Sequence, residues 1–160
     1  TKGEPSMLGP AQKRWLLSTI KKSRGTFKVL ISPVPWVFKA KGDSRDTWSG
    51  FKKERNEIFT FLTENKSEGV VLMSADRHRS DLWKIDRPDD YALYEFNSSR
   101  LTNQHVHKTM EAAVFSYNAK QSFGTVDFDT TAADPTATYR IHTIDGEQVF
   151  QHTVKRNELN

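Results

Sequence analysis

The chain has 160 residues, a length that suits one domain with its own hydrophobic core. Its 24 Lys and Arg against 20 Asp and Glu give a formal charge of +4, an excess too small to indicate a nucleic-acid-binding surface. The absence of cysteine excludes disulfides, thiolate metal sites and cysteine nucleophiles, and no apolar run approaches the roughly 18 residues of a membrane span.

The first half of the chain predicts helices that alternate with strands. A helix is predicted over Gly9–Lys22, because Pro10 suits the first helical turn and apolar residues follow at helical spacing before the stop at Gly25. A short buried strand, Phe27–Ile31, follows and ends at a Pro-rich turn. The polar, turn-rich segment Val37–Gly50 predicts a loop.

The next two predicted elements repeat this order. A second amphipathic helix is predicted from about Phe51 to Asn65, with apolar residues on one face and charged residues opposite. The segment Val70–Met73 is apolar without alternation, which is typical of a strand covered on both faces. Helix, strand, helix and strand in this order predict a parallel sheet of the α/β class.

The second half of the chain predicts mainly strands. The predicted strands are Leu82–Ile85, Tyr91–Phe96, Phe123–Phe128, Thr138–Ile144 and Gln148–Val154. Asp145-Gly146 between the last two is a strong hairpin signal, and residues 97–122 predict mostly loop. The sequence therefore predicts one α/β domain that ends in an antiparallel hairpin.

A polar cluster follows directly after the second predicted strand, where α/β sheets gather ligands beyond the carboxyl ends of their strands. In it, Asp76 and His78 offer an oxygen and an imidazole ligand from one short loop. Arg77 and Arg79 alternate with them as cations that can form paired hydrogen bonds with phosphate oxygens. A surface turn with solvated charges is the alternative interpretation of the same residues.

Two further pairs of residues have both a functional and a structural interpretation. In an extended segment His105 and His107 would share a face, which suits two ligands of one metal ion, or they form an incidental exposed pair. Trp36 and Trp48 flank a polar loop, where they could line a cleft or serve as buried covers.

Six blocks, taken in order along the chain, resemble the carboxyl-terminal half of the PhoD-like alkaline phosphatases and phosphodiesterases, a branch of the calcineurin-like metallophosphoesterases. Ala75 stands where the Ser-Gly-Asp-x-His signature of this family usually has Gly. The blocks are Met7–Gln12 with Trp15-Leu16, Phe27–Ser32 with Val34–Trp36, Asp46–Phe51 with Glu54-Arg55, Ser74–His78, Tyr94–Phe96, and Ser98-Ser99 with Leu101-Thr102.

The resemblance implies that residues 1–160 are the carboxyl-terminal portion of a single metallophosphoesterase domain. The family fold is a sandwich of two sheets covered by helices. The family's amino-terminal motifs, which supply most metal ligands, are absent from this chain. A missing amino-terminal half would also explain the low hydrophobic share of 36%. The start at Thr1 rather than Met agrees with a piece of a longer protein or a processed product.

The activity implied by the resemblance is metal-dependent hydrolysis of phosphate monoesters or diesters, in which metal ions hold a hydroxide nucleophile and stabilise the developing charge. Asp76 and His78 would be catalytic metal ligands, with His78 the firmer one, and Asp76 could instead orient the imidazole. Arg77 and Arg79 would bind the substrate phosphate. The cofactors would be divalent or trivalent ions, Ca, Fe, Mn or Zn, without a choice among them.

The resemblance also defines the partners of this segment. They would be a phosphate-ester substrate and the missing amino-terminal half of the same protein, without which the segment is expected to be inactive. Export to the periplasm or beyond is common among relatives, and the localisation of this chain stays open. The alternative is a non-catalytic module that keeps half of the fold as an interaction or assembly surface.

Overall fold

The computed structural model describes residues 5–38 and 40–160 of the chain. Within them, α1 is Gly9–Lys22 and α2 is Lys52–Glu64, and short 3-10 turns cover Trp48–Gly50 and Arg156–Glu158. The strands are β1 Lys28–Ile31, β2 Ala40–Asp43, β3 Val70–Ser74, β4 Ser80–Arg87, β5 Asp90–Ser98, β6 Phe115–Tyr117, β7 Ser122–Asp129, β8 Thr136–Thr143 and β9 Gln148–Lys155.

Among the described residues, five strands form a mixed sheet in the order β1-β3-β5-β4-β6. β1, β3 and β5 run parallel, and α2 lies in the connection from β1 to β3, as the predicted helix–strand order requires. β4 runs antiparallel to both β5 and β6. No described helix is long and apolar enough to cross a membrane.

The mixed sheet has a core on each of its faces. Val70 and Leu72 of β3 pack with residues of α1 and α2 such as Ile20 and Ile58. Val71, between them in sequence, packs on the opposite face with a second, antiparallel sheet of order β7-β8-β9. This alternation explains why the β3 sequence is apolar at successive positions. The layers are helices, mixed sheet and second sheet, a partial α/β sandwich of the predicted class.

A stacked aromatic pair and a tyrosine join the two sheets. Phe96 of β5 stacks on Tyr139 of β8 with ring centroids 4.8 Å apart, and the Tyr139 hydroxyl donates to the Asn97 carbonyl at 2.8 Å. Gly124 of β7 is needed beside this ring, because a Cβ there would lie 2.5 Å from the Tyr139 ring. The hairpin of β8 and β9 is therefore packed directly onto the end of β5.

Two predicted loops contain strands. The segment Val37–Gly50 includes β2 and a 3-10 turn, and residues 97–122 include β6. The prediction of a loop over Val37–Gly50 was wrong, whereas residues 97–122 are mostly loop as predicted, with β6 inside them. Strands as short as β2 and β6 carry too few residues for a visible hydrophobic alternation. β6 forms by pairing with the beginning of β4, a contact between segments about 35 residues apart that local sequence does not reveal.

Helix α2 holds the chain before α1 through a buried carboxylate. Glu54 accepts hydrogen bonds from the backbone N–H of Met7 at 2.6 Å and of Leu8 at 3.3 Å, and from the Ser6 hydroxyl at 2.8 Å. Its side chain is only 4% exposed. Glu57, on the same helix, pairs with Lys13 at the surface instead.

Replacing Glu54 by Ala is therefore expected to lower the free energy of unfolding by about 2 kcal/mol, since three donors lose their partner in a largely buried site. Urea denaturation followed by tryptophan fluorescence measures this loss. The matched control is Glu57→Ala, which removes an exposed carboxylate from the same helix and should cost far less. Equal losses in the two variants would show that the Glu54 contacts do not stabilise the start of α1.

Candidate metal centre

The candidate site lies at the edge of the mixed sheet where β3 and β5 end. β3 ends at Ser74, β5 ends at Ser98, and β4 begins at Ser80 on the same edge. The loop 75–79 and the segment that follows Ser98 therefore start side by side, beyond the carboxyl ends of two parallel strands. This is the position at which α/β sheets present binding residues.

The loop 75–79 has an uncommon backbone conformation at two positions. Asp76 has φ 72° and His78 has φ 46°, both in the left-handed region that Asp and His enter more readily than most residues. The Ala75 carbonyl accepts a hydrogen bond from the Asn97 amide at 2.9 Å, which anchors the loop to β5. Ala75 itself has no positive φ, so the methyl group in place of the family's usual Gly introduces no backbone strain here.

Three histidines come together beside this loop. His78, His105 and His107 each offer one ring nitrogen, and these atoms lie within 4.8 Å of one another. Their ring centroids are 5.5 Å apart for His78 and His105, 5.1 Å for His78 and His107, and 4.8 Å for His105 and His107. His78 and His107 are half-buried and His105 is exposed. The two histidine candidates predicted separately from the sequence therefore lie in one cluster.

Asparagine and serine side chains position the imidazoles. The Asn103 amide forms a 3.0 Å hydrogen bond with His78 Nε2, and its carbonyl oxygen accepts from the His105 N–H at 2.9 Å. Ser99 Oγ accepts from the His78 N–H at 3.0 Å, and the Asn118 amide donates to the His107 carbonyl at 2.9 Å. Sequence reasoning missed Asn103 and Asn118, because hydrogen bonds between loops leave no periodic signal, and it marked Ser99 only as part of a PhoD-like block.

The electrostatic surroundings favour neutral imidazole at His107. Burial lowers the pKa of His107, and the positive charge of Arg77 and the neighbouring histidines lower this pKa further. His78 Nδ1 is buried and has no hydrogen-bond partner in the described part of the chain. An imidazole must be neutral to bind a metal ion. A metal ion would also provide the partner that the buried ring nitrogen of His78 lacks.

Asp76 lies outside the three-histidine cluster. Its Oδ2 is 3.4 Å from Lys41 Nζ and 4.0 Å from Arg77 Nη1, and its side chain is one-third exposed. Lys41 in turn forms a closer ion pair with Asp46, at 2.6 Å. The carboxylate therefore faces cations of β2 and of its own loop, and its predicted role as a metal ligand stays a prediction.

The two arginines of the loop are buried and bonded within the fold. Arg77 Nε and Arg79 Nη2 both donate to the carbonyl of Ala40 in β2, at 3.0 and 3.2 Å. Arg79 Nε also donates to both carboxylate oxygens of Asp81, at 2.9 and 2.7 Å. The side chains of Arg79 and Asp81 are at most 1% exposed. Arg77 Nη1 is buried without a hydrogen-bond partner in the described residues. Their predicted contact with substrate stays a prediction.

A buried carboxylate, Glu95, joins β5 to the chain at Trp36 and Val37, which follows β1. Glu95 accepts from the N–H groups of Trp36 at 2.9 Å and Val37 at 2.8 Å, and from the Ser74 hydroxyl. Burial raises the pKa of Glu95, and these hydrogen bonds act in the opposite direction. Trp36 stacks on Trp48 at 4.5 Å and both are buried, so this pair contributes to the core beneath the loop.

The comparison with known proteins defines the relationship of the chain. The sequence model described as PhoD-like phosphatase matches residues 1–153. The chain belongs to the PhoD-like phosphatase family. Alkaline phosphatase D of Bacillus subtilis strain 168 is 26% identical to it over 81 residues, which cover 47% of this chain and 14% of that protein.

A solved structure described as the structure of PhoD has the same fold. It superposes with a TM-score of 0.64 over 93% of this chain and 32% of its own length, at 19% identity. The chain thus spans less than a third of the length of either relative. The predicted resemblance and fold class are confirmed.

The PhoD-like block Asp46–Phe51 has a structural explanation in this chain. Trp48 Nε1 donates to Ser32 Oγ at 3.0 Å, which joins the block to the end of β1. Gly50 leaves room for the main chain, since a Cβ there would lie 2.0 Å from the Arg45 carbonyl oxygen. These PhoD-like residues therefore hold the segment around β2. In this strand the Ala40 carbonyl accepts hydrogen bonds from Arg77 and Arg79.

Arg55, also in a PhoD-like block, fixes the other end of the same segment. Its Nε donates to the Trp36 carbonyl at 2.8 Å, and its guanidinium lies 3.9 Å from the ring centre of Phe38 and 4.2 Å from that of Phe59. Burial lowers the pKa of Arg55 to about 10, so the group stays charged at neutral pH.

Replacing Asp81 by Ala is expected to lower the free energy of unfolding by about 3–5 kcal/mol, because Arg79 would be left buried without its partner. The double variant R79M/D81A should recover part of this loss, since it leaves no unpaired charge. Thermal and urea denaturation measure both. Asp86→Ala, an exposed site on the same strand, is the control. A double variant less stable than D81A would contradict the ion-pair explanation.

Proposed function

We propose that the protein containing this chain is a metal-dependent phosphoric ester hydrolase of the PhoD-like type, and that this chain supplies the Asp-x-His part of its site. The observation that carries the proposal is the loop 75–79, which places His78 beside His105 and His107 at the carboxyl edge of the sheet. Membership of the PhoD-like family supports the reaction class. Both phosphate monoesters and diesters agree with this site.

The donor set fits a metal ion. The three imidazoles lie within reach of one another, and a buried ring nitrogen of His78 lacks a hydrogen-bond partner among the described residues. Asp76, on the same loop, is the proposed oxygen ligand, which it can become by exchanging its contact with Lys41 for the ion. When bound, the ions supply positive charge to the phosphoryl oxygens and acidity to a water molecule.

The two arginines have different proposed tasks. Arg77 Nη1 has no hydrogen-bond partner in the described residues, but it is buried, so contact with a phosphoryl oxygen would require the side chain or the loop to move. Arg79 is bonded to Asp81 and Ala40, and direct contact with substrate would require these bonds to exchange. In the arrangement seen here Asp81 balances the charge of Arg79, and the bonds of Arg79 to Asp81 and Ala40 hold the loop in place.

An uncovered surface beside β1 supports the proposed domain organisation. Among the described residues β1 is an edge strand of the mixed sheet, and its residue Ile31 is 75% exposed. Trp15 of α1 is 62% exposed beside it, and both line an apolar cavity of about 440 Å³. We propose that the portion of a PhoD-like domain not spanned by this chain covers this surface.

In the complete protein, His78→Ala is expected to lower turnover of a nitrophenyl phosphate ester and metal content together, turnover by at least about 100-fold, because a metal ligand is lost. Elemental analysis and steady-state kinetics measure the two effects. The matched control is His142→Ala, which removes an imidazole from β8 in the second sheet. Unchanged metal stoichiometry in His78→Ala would remove His78 from the ligand set.

The 160-residue chain by itself is expected to hydrolyse a nitrophenyl phosphate diester barely above the rate in buffer. The physical reason is that the ligands present here are too few to hold two metal ions at useful occupancy. An assay of the purified chain with added metal salts tests this expectation. Robust turnover by the chain would mean that it carries a sufficient site without the remainder of the domain.

A further inference from the structure

We propose that His78, His105 and His107 together bind one divalent ion of the kind that prefers nitrogen ligands, such as Zn²⁺, rather than Ca²⁺ or Mg²⁺. This inference deepens the proposed function by assigning an ion class to it, and it rests on that function only through the shared His78. His105 and His107 lie outside the sequence blocks that carry the PhoD-like resemblance, whose last block ends at Thr102.

The spacing of the three imidazoles is close to that of a metal site. Nitrogen ligands of a tetrahedral zinc ion lie about 2.0–2.1 Å from the metal, and therefore about 3.3 Å from one another. The candidate nitrogens here lie within 4.8 Å of one another, so the rings need to close by about 1.5 Å at most. His105 is exposed and sits in a segment without regular structure, which allows its ring to make this movement.

Hydrogen bonds already hold the three ligands in one place. A single side chain, Asn103, contacts both His78 and the backbone of His105. Asn118, just beyond β6, fixes the backbone at His107. Because the imidazoles come from two segments that are each anchored to the sheet, the loss of chain entropy on binding an ion is reduced.

The donor chemistry selects the ion class. The cluster contains three imidazoles and, in the described residues, no carboxylate, since Asp76 faces Lys41. Imidazole suits Zn²⁺, Cu²⁺, Ni²⁺ and Co²⁺, whereas Ca²⁺ and Mg²⁺ require several oxygen ligands. Three protein ligands leave one coordination position of a tetrahedral ion open, and the nearby Arg77 makes an anion the favoured fourth ligand.

The experiment titrates the metal-free, tag-free 160-residue chain with ZnCl₂, followed by calorimetry, and with CoCl₂, followed by visible absorption. We expect one equivalent of Zn²⁺ and cobalt bands typical of nitrogen coordination, and no heat with CaCl₂ or MgCl₂. His105→Ala and His107→Gln should each weaken Zn²⁺ binding by about 10–100-fold or more. His142→Ala and His152→Ala, in the second sheet, should bind as the parent chain does.

Circular dichroism of each variant separates loss of a ligand from loss of fold. Because His105 is exposed, His105→Ala is the variant least able to disturb folding. Failure of the parent chain to bind one equivalent of Zn²⁺ overturns the inference. So does unchanged affinity in both His105→Ala and His107→Gln.

The same variants separate this inference from the proposed function. If the complete protein hydrolyses phosphate esters through His78 while His105→Ala and His107→Gln keep full metal content, the inference is wrong and the function stands. If the chain binds one equivalent of Zn²⁺ but the complete protein does not hydrolyse phosphate esters, the inference stands and the proposed function is wrong.

Discussion

The parallel pairing of β3 with β5 is the constraint on which the candidate site depends. Because Ser74 is in register with Asn97, the two strands end together and their loops leave the sheet at the same edge. The Asn97 amide then donates to Ser74 Oγ at 2.8 Å and to the Ala75 carbonyl, so β5 holds the first turn of the loop directly. Without this register, His78 and the segment after Ser98 would not meet.

The elements that were predicted well are those whose signals are local. Helix α1 has the predicted bounds because Pro10 and the charged residues before Gly25 mark both of its ends. The β8–β9 hairpin was predicted from Asp145-Gly146, where Gly146 has φ 84° as a tight turn requires. Strand β3 was predicted because burial on both faces makes each of its positions apolar.

What was missed depends on contacts between distant parts of the chain. The sequence marks Asp76-x-His78 and His105-x-His107 as separate pairs, and their convergence follows from sheet order, which periodicity does not encode. The burial of Arg79 was also not predicted, because a charged residue in a polar run predicts solvent exposure until its partner Asp81 is known to be buried. Asn103 lacked any signal for the same reason, and Ser99 was marked only as part of a PhoD-like block.

One main-chain oxygen, the carbonyl of Ala40, accepts from both Arg77 and Arg79. A side-chain substitution at position 40 leaves this backbone acceptor in the chain, although the burial of Ala40 limits the size of any replacement. The loop is thus mechanically tied to a neighbouring strand rather than to another side chain. The position of β2 therefore helps to set the position of His78, which lies between the two arginines in sequence.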